Sequence, residues 1–286
     1  MKRDKAIEGA LLVAALSATG GLCLITLFIF REGVPAIVHV GWRGFFLSSD
    51  WDPSRDHFGI LSMIGGTLVV TAGATILGVV SGLGLAITLT RFSPPWLAAI
   101  LKPAVELLAG IPSVVYGFVG VVTLVPLIRR FLGGPGLSVL ATSIVLGIMI
   151  LPTIASIAID ALRAVPPSYR EGSLALGATE WQTTWKVVLK GARPGILAAV
   201  ILGMGRAIGE TMAVIMVAGN ALEFPRGLLS PVRTLTSNIA LEMGYASGTH
   251  RQALFAAGVT LFVVITLLNL AALSFSRRRS HPGRLP

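Results

Sequence analysis

Glu171-Gly-Ser-Leu-Ala-Leu-Gly177-Ala-Thr-Glu-Trp-Gln-Thr-Thr-Trp-Lys-Val187-Val-Leu-Lys190 is a polar island between long apolar runs, and its reading decides what the rest of the chain is for. Ser168 followed by Glu171 has the spacing of a capping box, Gly177 is a natural helix stop, and Thr179 followed by Gln182 is a second capping box. The stretch therefore predicts two short helices joined at a bend. Leu174, Ala178, Trp181, Trp185 and Val188 recur at helical spacing, which predicts one apolar face toward the membrane and leaves Glu180, Gln182, Lys186 and Lys190 for water or a partner. Such an elbow is a docking surface, with an ordinary interfacial helix as the alternative.

Outward from this island the chain is apolar. Charged residues make up 13% of the 286 and apolar residues 54%, with a mean hydropathy of +0.82. The charges gather between apolar runs, the pattern of several bilayer-spanning helices. Six spans are expected, at about 7 to 30, 61 to 89, 104 to 128, 137 to 160, 195 to 219 and 252 to 275, each long enough for a hydrocarbon core of about 30 Å. Residues 1 to 286 then form one all-α domain, with residues 161 to 194 as its inside loop. The apolar run after Met-Lys-Arg-Asp-Lys continues to Phe30 without a small-x-small cleavage site, so it predicts an uncleaved first helix. The single cysteine, Cys23, is expected to be a buried thiol; it permits neither an internal disulfide nor a cysteine-based metal site.

Charge sets the orientation. The expected inside segments carry fourteen Lys and Arg, among them Lys2, Arg91, Lys102, Arg163, Arg170, Lys190, Arg193 and the run Arg277-Arg278-Arg279, against eight on the other side. Both termini are therefore expected to be cytoplasmic. The net charge of +10 reflects topology and contact with anionic lipid. Nucleic acid is not expected as a partner, since no basic groove interleaved with aromatics is evident. Arg129-Arg130 falls on the outer side, where it either sits passively in a short loop or raises the local anion concentration.

Prolines break the spans, and in lipid a broken helix is found packed within protein or along a water-filled path. Ile111-Pro-Ser113-Val-Val-Tyr116-Gly117 is the sharpest break: it either offers the Ser113 and Tyr116 hydroxyls to a solute or serves only as a packing kink. Gly78, Gly82 and Gly84 permit close helix approach. Charges inside a span cost about 2.5–3.5 kcal/mol at mid-membrane on insertion scales and mark function. Gly205-Arg206-Ala-Ile-Gly-Glu210-Thr211 holds two, four residues apart, so Arg206 and Glu210 are expected to share a face and neutralise each other. Between passages of a phosphate-like oxyanion Glu210 is expected to hold Arg206, whose planar fork suits such an anion, with a purely structural pair as the alternative. Glu106 is a weaker candidate at the interface.

The island also resembles the cytoplasmic "EAA" loop of ABC-importer permeases: Glu171, the small pair Gly172-Ser173, Gly177, then Val187-x-Leu189. Gly-Ser replaces the family's Ala-Ala, and Lys190 replaces its closing proline, which moves the chain break to Arg193-Pro194. Trp51-Asp-Pro53, Phe58-Gly-Ile-Leu, Gly66-Thr67, Ile111 to Gly117 and Gly205 to Ala213 extend the resemblance to the phosphate-specific permeases of the PstC type. The resemblance implies a type I importer (MetI-like) permease fold in the cell inner membrane. It implies a PstA-type companion permease, two PstB-type ATPase subunits and a PstS-type phosphate-binding protein, with inorganic phosphate as substrate. It further implies that Glu171, Gly172, Ser173, Leu174, Gly177, Ala178 and Glu180 dock on the ATPase; Arg206, Glu210, Ser113 and Tyr116 are expected to line the path on the residue chemistry given above. No P-loop or HExxH motif occurs, so no catalytic residue, cofactor or metal is expected, and ATP hydrolysis falls to another chain. A sulfate or molybdate permease and a self-sufficient secondary transporter using Arg206 and Glu210 as a relay are the alternatives.

Overall fold

The computed structural model describes the backbone of residues 2–277 and the side-chain surroundings of residues 7–270. Of the basic residues that set the expected orientation, Arg278, Arg279 and Arg284 lie outside the described residues. The first helix, α1 (Lys2–Val40), runs ten residues past the expected span and carries Pro35 within it. Cys23 is exposed on its surface, not buried, because α1 packs along the bundle through a few points and leaves most of its apolar length to lipid. Gly33 is one such point: a Cβ there would meet the Ala256 backbone nitrogen at 2.7 Å.

A short segment between spans follows: α2 (Trp42–Leu47), then a small antiparallel pair, β1 (Trp51–Asp52) with β2 (His57–Phe58). Trp51 and Phe58 face each other and are buried with Phe45 and Ile60. The Ser54 hydroxyl, donating to Asp52, holds that carboxyl below its usual value.

α3 (Leu61–Ile87), continued by a π turn to Phe92, and α7 (Val139–Arg163) form the centre of the bundle. Lipid tails are as apolar as leucine, so these helices associate by van der Waals contact at close approach. A Cβ on Gly78 would lie 2.6 Å from Ile150 Cγ1, and one on Gly82 would lie 3.1 Å from Ile154 Cβ. Gly84 meets nothing within 4 Å, so the packing role expected of it falls to Gly78 and Gly82 alone. Ser138 caps α7 by accepting from the Ala141 amide, while the Val139 and Leu140 amides donate to Ser230 and Leu228 carbonyls. The loop over 218–232 thereby closes the helix's N-terminal end.

The single span expected over 104 to 128 is two elements. α4 (Pro95–Ala109) ends before Pro112, and α5 (Ser113–Val119) begins after it. A π turn, Gly120–Leu124, joins α5 to α6 (Val125–Phe131). Proline removes an amide and crowds the preceding turn, which forces the break. Arg129 donates twice to the Pro135 carbonyl, at 3.1 and 2.8 Å, and so fastens the glycine-rich turn beyond α6.

The elbow comprises α8 (Pro167–Ala175), α9 (Glu180–Thr183), a π turn (Thr184–Val188) and α10 (Leu189–Gly191). After it the chain bends by 71° into α11 (Arg193–Gly209). α12 (Met212–Val217), α13 (Leu235–Glu242) and α14 (Gly248–Arg277) complete the order. Among the described residues five helices are long and apolar enough to cross a membrane, six if the bent pair counts as one. α13 was not anticipated from the sequence. It has a polar start, and its length of eight residues falls short of a span.

Candidate functional site: a broken helix and a cytoplasmic-type elbow

The chain stops being helical at Glu210, which is extended at φ −70°, ψ 133°. This overturns the expected Arg206 and Glu210 pair, because the four-residue spacing joins side chains only along a continuous helix. Glu210 instead turns forward. Its Oε1 accepts from the Ala213 amide at 3.1 Å, which caps α12, and its backbone carbonyl accepts from Thr236 at 2.9 Å. The break is thus closed by a side chain on one side and by α13 on the other.

Arg206 sits in the last turn of α11 and is exposed. Among the described residues its one hydrogen-bond partner is the Thr153 hydroxyl on α7, at 3.3 Å. The Tyr116 hydroxyl lies within electrostatic reach and donates to the Leu108 carbonyl at 2.7 Å. That carbonyl lies in the last turn of α4 and also accepts from the Ile111 amide at 3.3 Å, so Tyr116 ties α5 back across the Pro112 break. Ser113 opens α5 half-buried, without capping it. Arg206 thus lies within electrostatic reach of Tyr116 without a hydrogen bond between them among the described residues, Glu210 is turned away to the break, and Ser113 lies one turn from Tyr116. Glu106 pairs loosely with Lys102 at 3.9 Å on the exposed face of α4.

In the elbow, the Thr179 and Gln182 capping box forms with both bonds present. The Ser168 and Glu171 box does not. Pro167 opens α8, since its fixed φ suits the first helical position, and Ser168 is carried inside the helix. Gly177 takes φ 83°, the left-handed conformation that a helix end of this kind needs. Across the bend, Arg170 pairs with Glu180 and the Ser173 hydroxyl meets Thr183 at 2.9 Å. The expected apolar stripe divides. Val188 is buried with Thr183 and Thr184 toward the bundle, whereas Trp181 and Trp185 are 59% and 55% exposed and stack on each other beside Phe92. The bend and the π turn reset the helical register between them. Glu171, Gly172, Gly177 and Glu180 are exposed, Ser173, Leu174 and Ala178 half-buried, and Leu176 projects at 91% exposure. Leu176 was not among the residues expected to dock; nothing in periodicity distinguishes it, because it protrudes only through the glycine bend.

A second polar cluster was also missed. Glu242 accepts from Arg233 at 2.7 Å, from the Trp51 indole at 2.9 Å and meets His250 at 2.8 Å. Arg233 also donates to the Asn220 carbonyl and to Asn238. Its members are spread from residue 51 to residue 250, and no local spacing links them.

A family model described as "Binding-protein-dependent transport system inner membrane component" matches residues 74–281. The chain is 40% identical over 282 residues to the probable ABC transporter permease protein YqgH of Bacillus subtilis (strain 168), across 96% of this chain and 91% of that one. It is 37% identical over 261 residues to the phosphate transport system permease protein PstC of Pasteurella multocida (strain Pm70), across 84% and 82%. Among solved structures, a bacterial alginate ABC transporter in complex with an alginate pentasaccharide-bound periplasmic protein shares the fold, with a TM-score of 0.68 over 96% of each chain at 18% identity. The inward-facing MetNI methionine ABC transporter does so with a TM-score of 0.60 at 24% identity, across 76% of this chain and 94% of that one. The fold is that of type I ABC importer permeases, and the chain belongs to the family of binding-protein-dependent transport system inner membrane components.

Proposed function

We propose that this chain is the PstC-type permease of an inorganic phosphate importer, in which Arg206 meets the anion in the path and the elbow receives the force of ATP hydrolysis from another subunit. The observation that carries the reading is the exposed Arg206 guanidinium beside a helix break, apart from Glu210 and held, among the described residues, by a single 3.3 Å bond to Thr153. A cation at membrane depth with so little internal satisfaction is kept for something that passes, and a planar fork of donors suits a phosphate oxygen pair. The relatives named as phosphate permeases support this substrate over sulfate or molybdate. Membership of a binding-protein-dependent family speaks against the self-sufficient secondary transporter.

The partners are a PstA-type permease completing the path, two PstB-type ATPase subunits and a PstS-type binding protein delivering phosphate from outside. Glu171 to Glu180, with Leu176 at the tip, fill a groove of the ATPase. The elbow and both termini are cytoplasmic, and the Trp51 segment faces out. The chain itself performs no catalysis: it positions Arg206, and the elbow's bend transmits ATPase closure to α11 through the 71° turn.

The test is uptake of labelled phosphate into proteoliposomes holding all four kinds of subunit. Uptake is expected with ATP and the complete set, and absent when the ATPase is omitted. ATP-independent uptake by this chain alone overturns the proposal, and uptake of sulfate at equal rate removes its substrate.

A further inference from the structure

Where the elbow hangs from the bundle, a cavity of about 340 Å³ is lined by Thr90, Arg91, Arg163, Pro166, Arg170 and Glu171 among others. Three elements meet there: the π turn that ends α3 brings Arg91, the last turn of α7 brings Arg163, and the first helix of the elbow brings Arg170. Of the two carboxylates nearby, only one pairs with these arginines among the described residues. Glu180 is taken by Arg170, and Glu171 makes no ion pair among the described residues. Arg91 donates through one terminal nitrogen to the Leu162 carbonyl at 3.1 Å, while its Nε is buried without a partner. The Arg163 guanidinium has no hydrogen bond or ion pair among the described residues, and Arg170 lies within electrostatic reach of Arg91.

Helix chemistry explains part of this. Arginines in a last turn complement the helix dipole and its free carbonyls, which accounts for Arg91 at Leu162. It does not account for three guanidinium groups converging on one hollow with a buried N–H left over, since a buried donor without a partner costs about 1–3 kcal/mol. The missing partner is an acceptor with several oxygens and negative charge. Depth on the bundle narrows its chemistry. Arg91 and Arg163 end the two central spans, Leu61–Phe92 and Val139–Arg163, and the exposed Trp181 and Trp185 pair stands beside Phe92. Stacked tryptophans at a span's end mark the headgroup level of a bilayer.

We propose that this hollow binds a phosphate oxyanion, which clamps the first helix of the elbow to the ends of α3 and α7. The anion is the phosphate group of an inner-leaflet lipid or inorganic phosphate free on that side. Both present the same oxygens to Arg91, Arg163 and Arg170, and both tie the elbow's swing to occupancy of the hollow. The assignment of this side to the cytoplasm rests on the transport reading above; the chemistry of the hollow does not.

The test uses the whole complex, with its companion permease and ATPases, purified without nucleotide. Native mass spectrometry after addition of phosphatidylglycerol or phosphatidylcholine reads retained lipid, and equilibrium dialysis with labelled inorganic phosphate reads the free anion. Wild type is expected to hold one of these ligands at this hollow, with Arg163→Gln binding it about tenfold more weakly through loss of a charge-assisted bond. Preferential loss of phosphatidylglycerol identifies the lipid, and loss of inorganic phosphate identifies the free anion. Arg163→Lys keeps the charge without the fork and is expected to bind at an intermediate strength; it decides the matter by the same comparison if Arg163→Gln does not assemble. Equal binding of both ligands by wild type and variant overturns the proposal. Labelled-phosphate uptake by the same preparations separates the two readings, because absent uptake with ligand held in the hollow removes the transport reading alone.

Discussion

Arg206 with Glu210 and Arg233 with Glu242 behave oppositely. Arg206 and Glu210 have the spacing of a helical ion pair yet do not meet, whereas Arg233 and Glu242 are nine residues apart and bond at 2.7 Å with side chains 16% and 9% exposed. The Arg233 and Glu242 pair is surrounded: Trp51, His250, Asn220 and Asn238 all bond to it. The Arg206 and Glu210 pair is divided by a helix break, and each member is left with a different task. A charge held by several bonds holds structure, and one left with a single weak bond is free for a ligand.

The largest effect is expected in the Glu242 cluster. Glu242→Gln keeps the shape but leaves Arg233 buried without a countercharge, a loss of about 3–5 kcal/mol. Thermal melting of the purified complex and membrane abundance should both fall. If melting stays unchanged, the cluster is not structural and the contrast with Arg206 collapses.

Arg206→Gln should do the reverse. Only a 3.3 Å bond to Thr153 is lost from the fold, so melting should move by no more than an exposed substitution does, within about 0.5 kcal/mol. Phosphate uptake should fall roughly tenfold or more, as expected for one charge-assisted contact of about 1.5–3 kcal/mol. Uptake at the wild-type rate would place the path elsewhere.

These two positions show how far sequence carries. Apolar periodicity and length located α3, α7 and α14, because lipid imposes its thickness on every spanning segment. Pro112 announced the break that splits the expected third span, although the tie Tyr116 makes across it depends on a carbonyl eight residues back. The Thr179 and Gln182 box and the Gly177 bend were legible because caps and positive φ are local chemistry. The failed Ser168 box shows the limit of that: Pro167 already owned the helix start. The Glu242 cluster and Leu176 were not legible, since a partner 191 residues away, as in Trp51 with Glu242, leaves no local trace.

Gly177→Val carries the contrast to the elbow. A Cβ at Gly177 meets nothing within 4 Å, so strain enters through φ alone, at about 1–3 kcal/mol for a residue unsuited to that region. The spans should insert normally while ATPase stimulation by the binding protein drops severalfold. Gly177→Asn, which tolerates positive φ, should retain most of it. Equal loss in both variants points to contact rather than to the bend.

The smallest expected effect is the most exacting. If Arg206 and Glu210 paired as their spacing suggests, Arg206→Gln and Glu210→Gln would each strand a charge, and the double variant would recover what the singles lost. With the helix broken at Glu210, each acts on its own neighbours: Arg206 on Thr153, Glu210 on the Ala213 amide. A glutamine at 210 can still accept from that amide through its carbonyl oxygen, so its own effect on melting should be slight. The coupling energy from the four melting curves should then stay below about 0.5 kcal/mol, as for sites without a shared partner. Uptake should remain low in the double variant, because no cationic fork is restored. A coupling well above that bound, with uptake recovered, would show that the two charges meet during the transport cycle and that the unpaired geometry is one of its states.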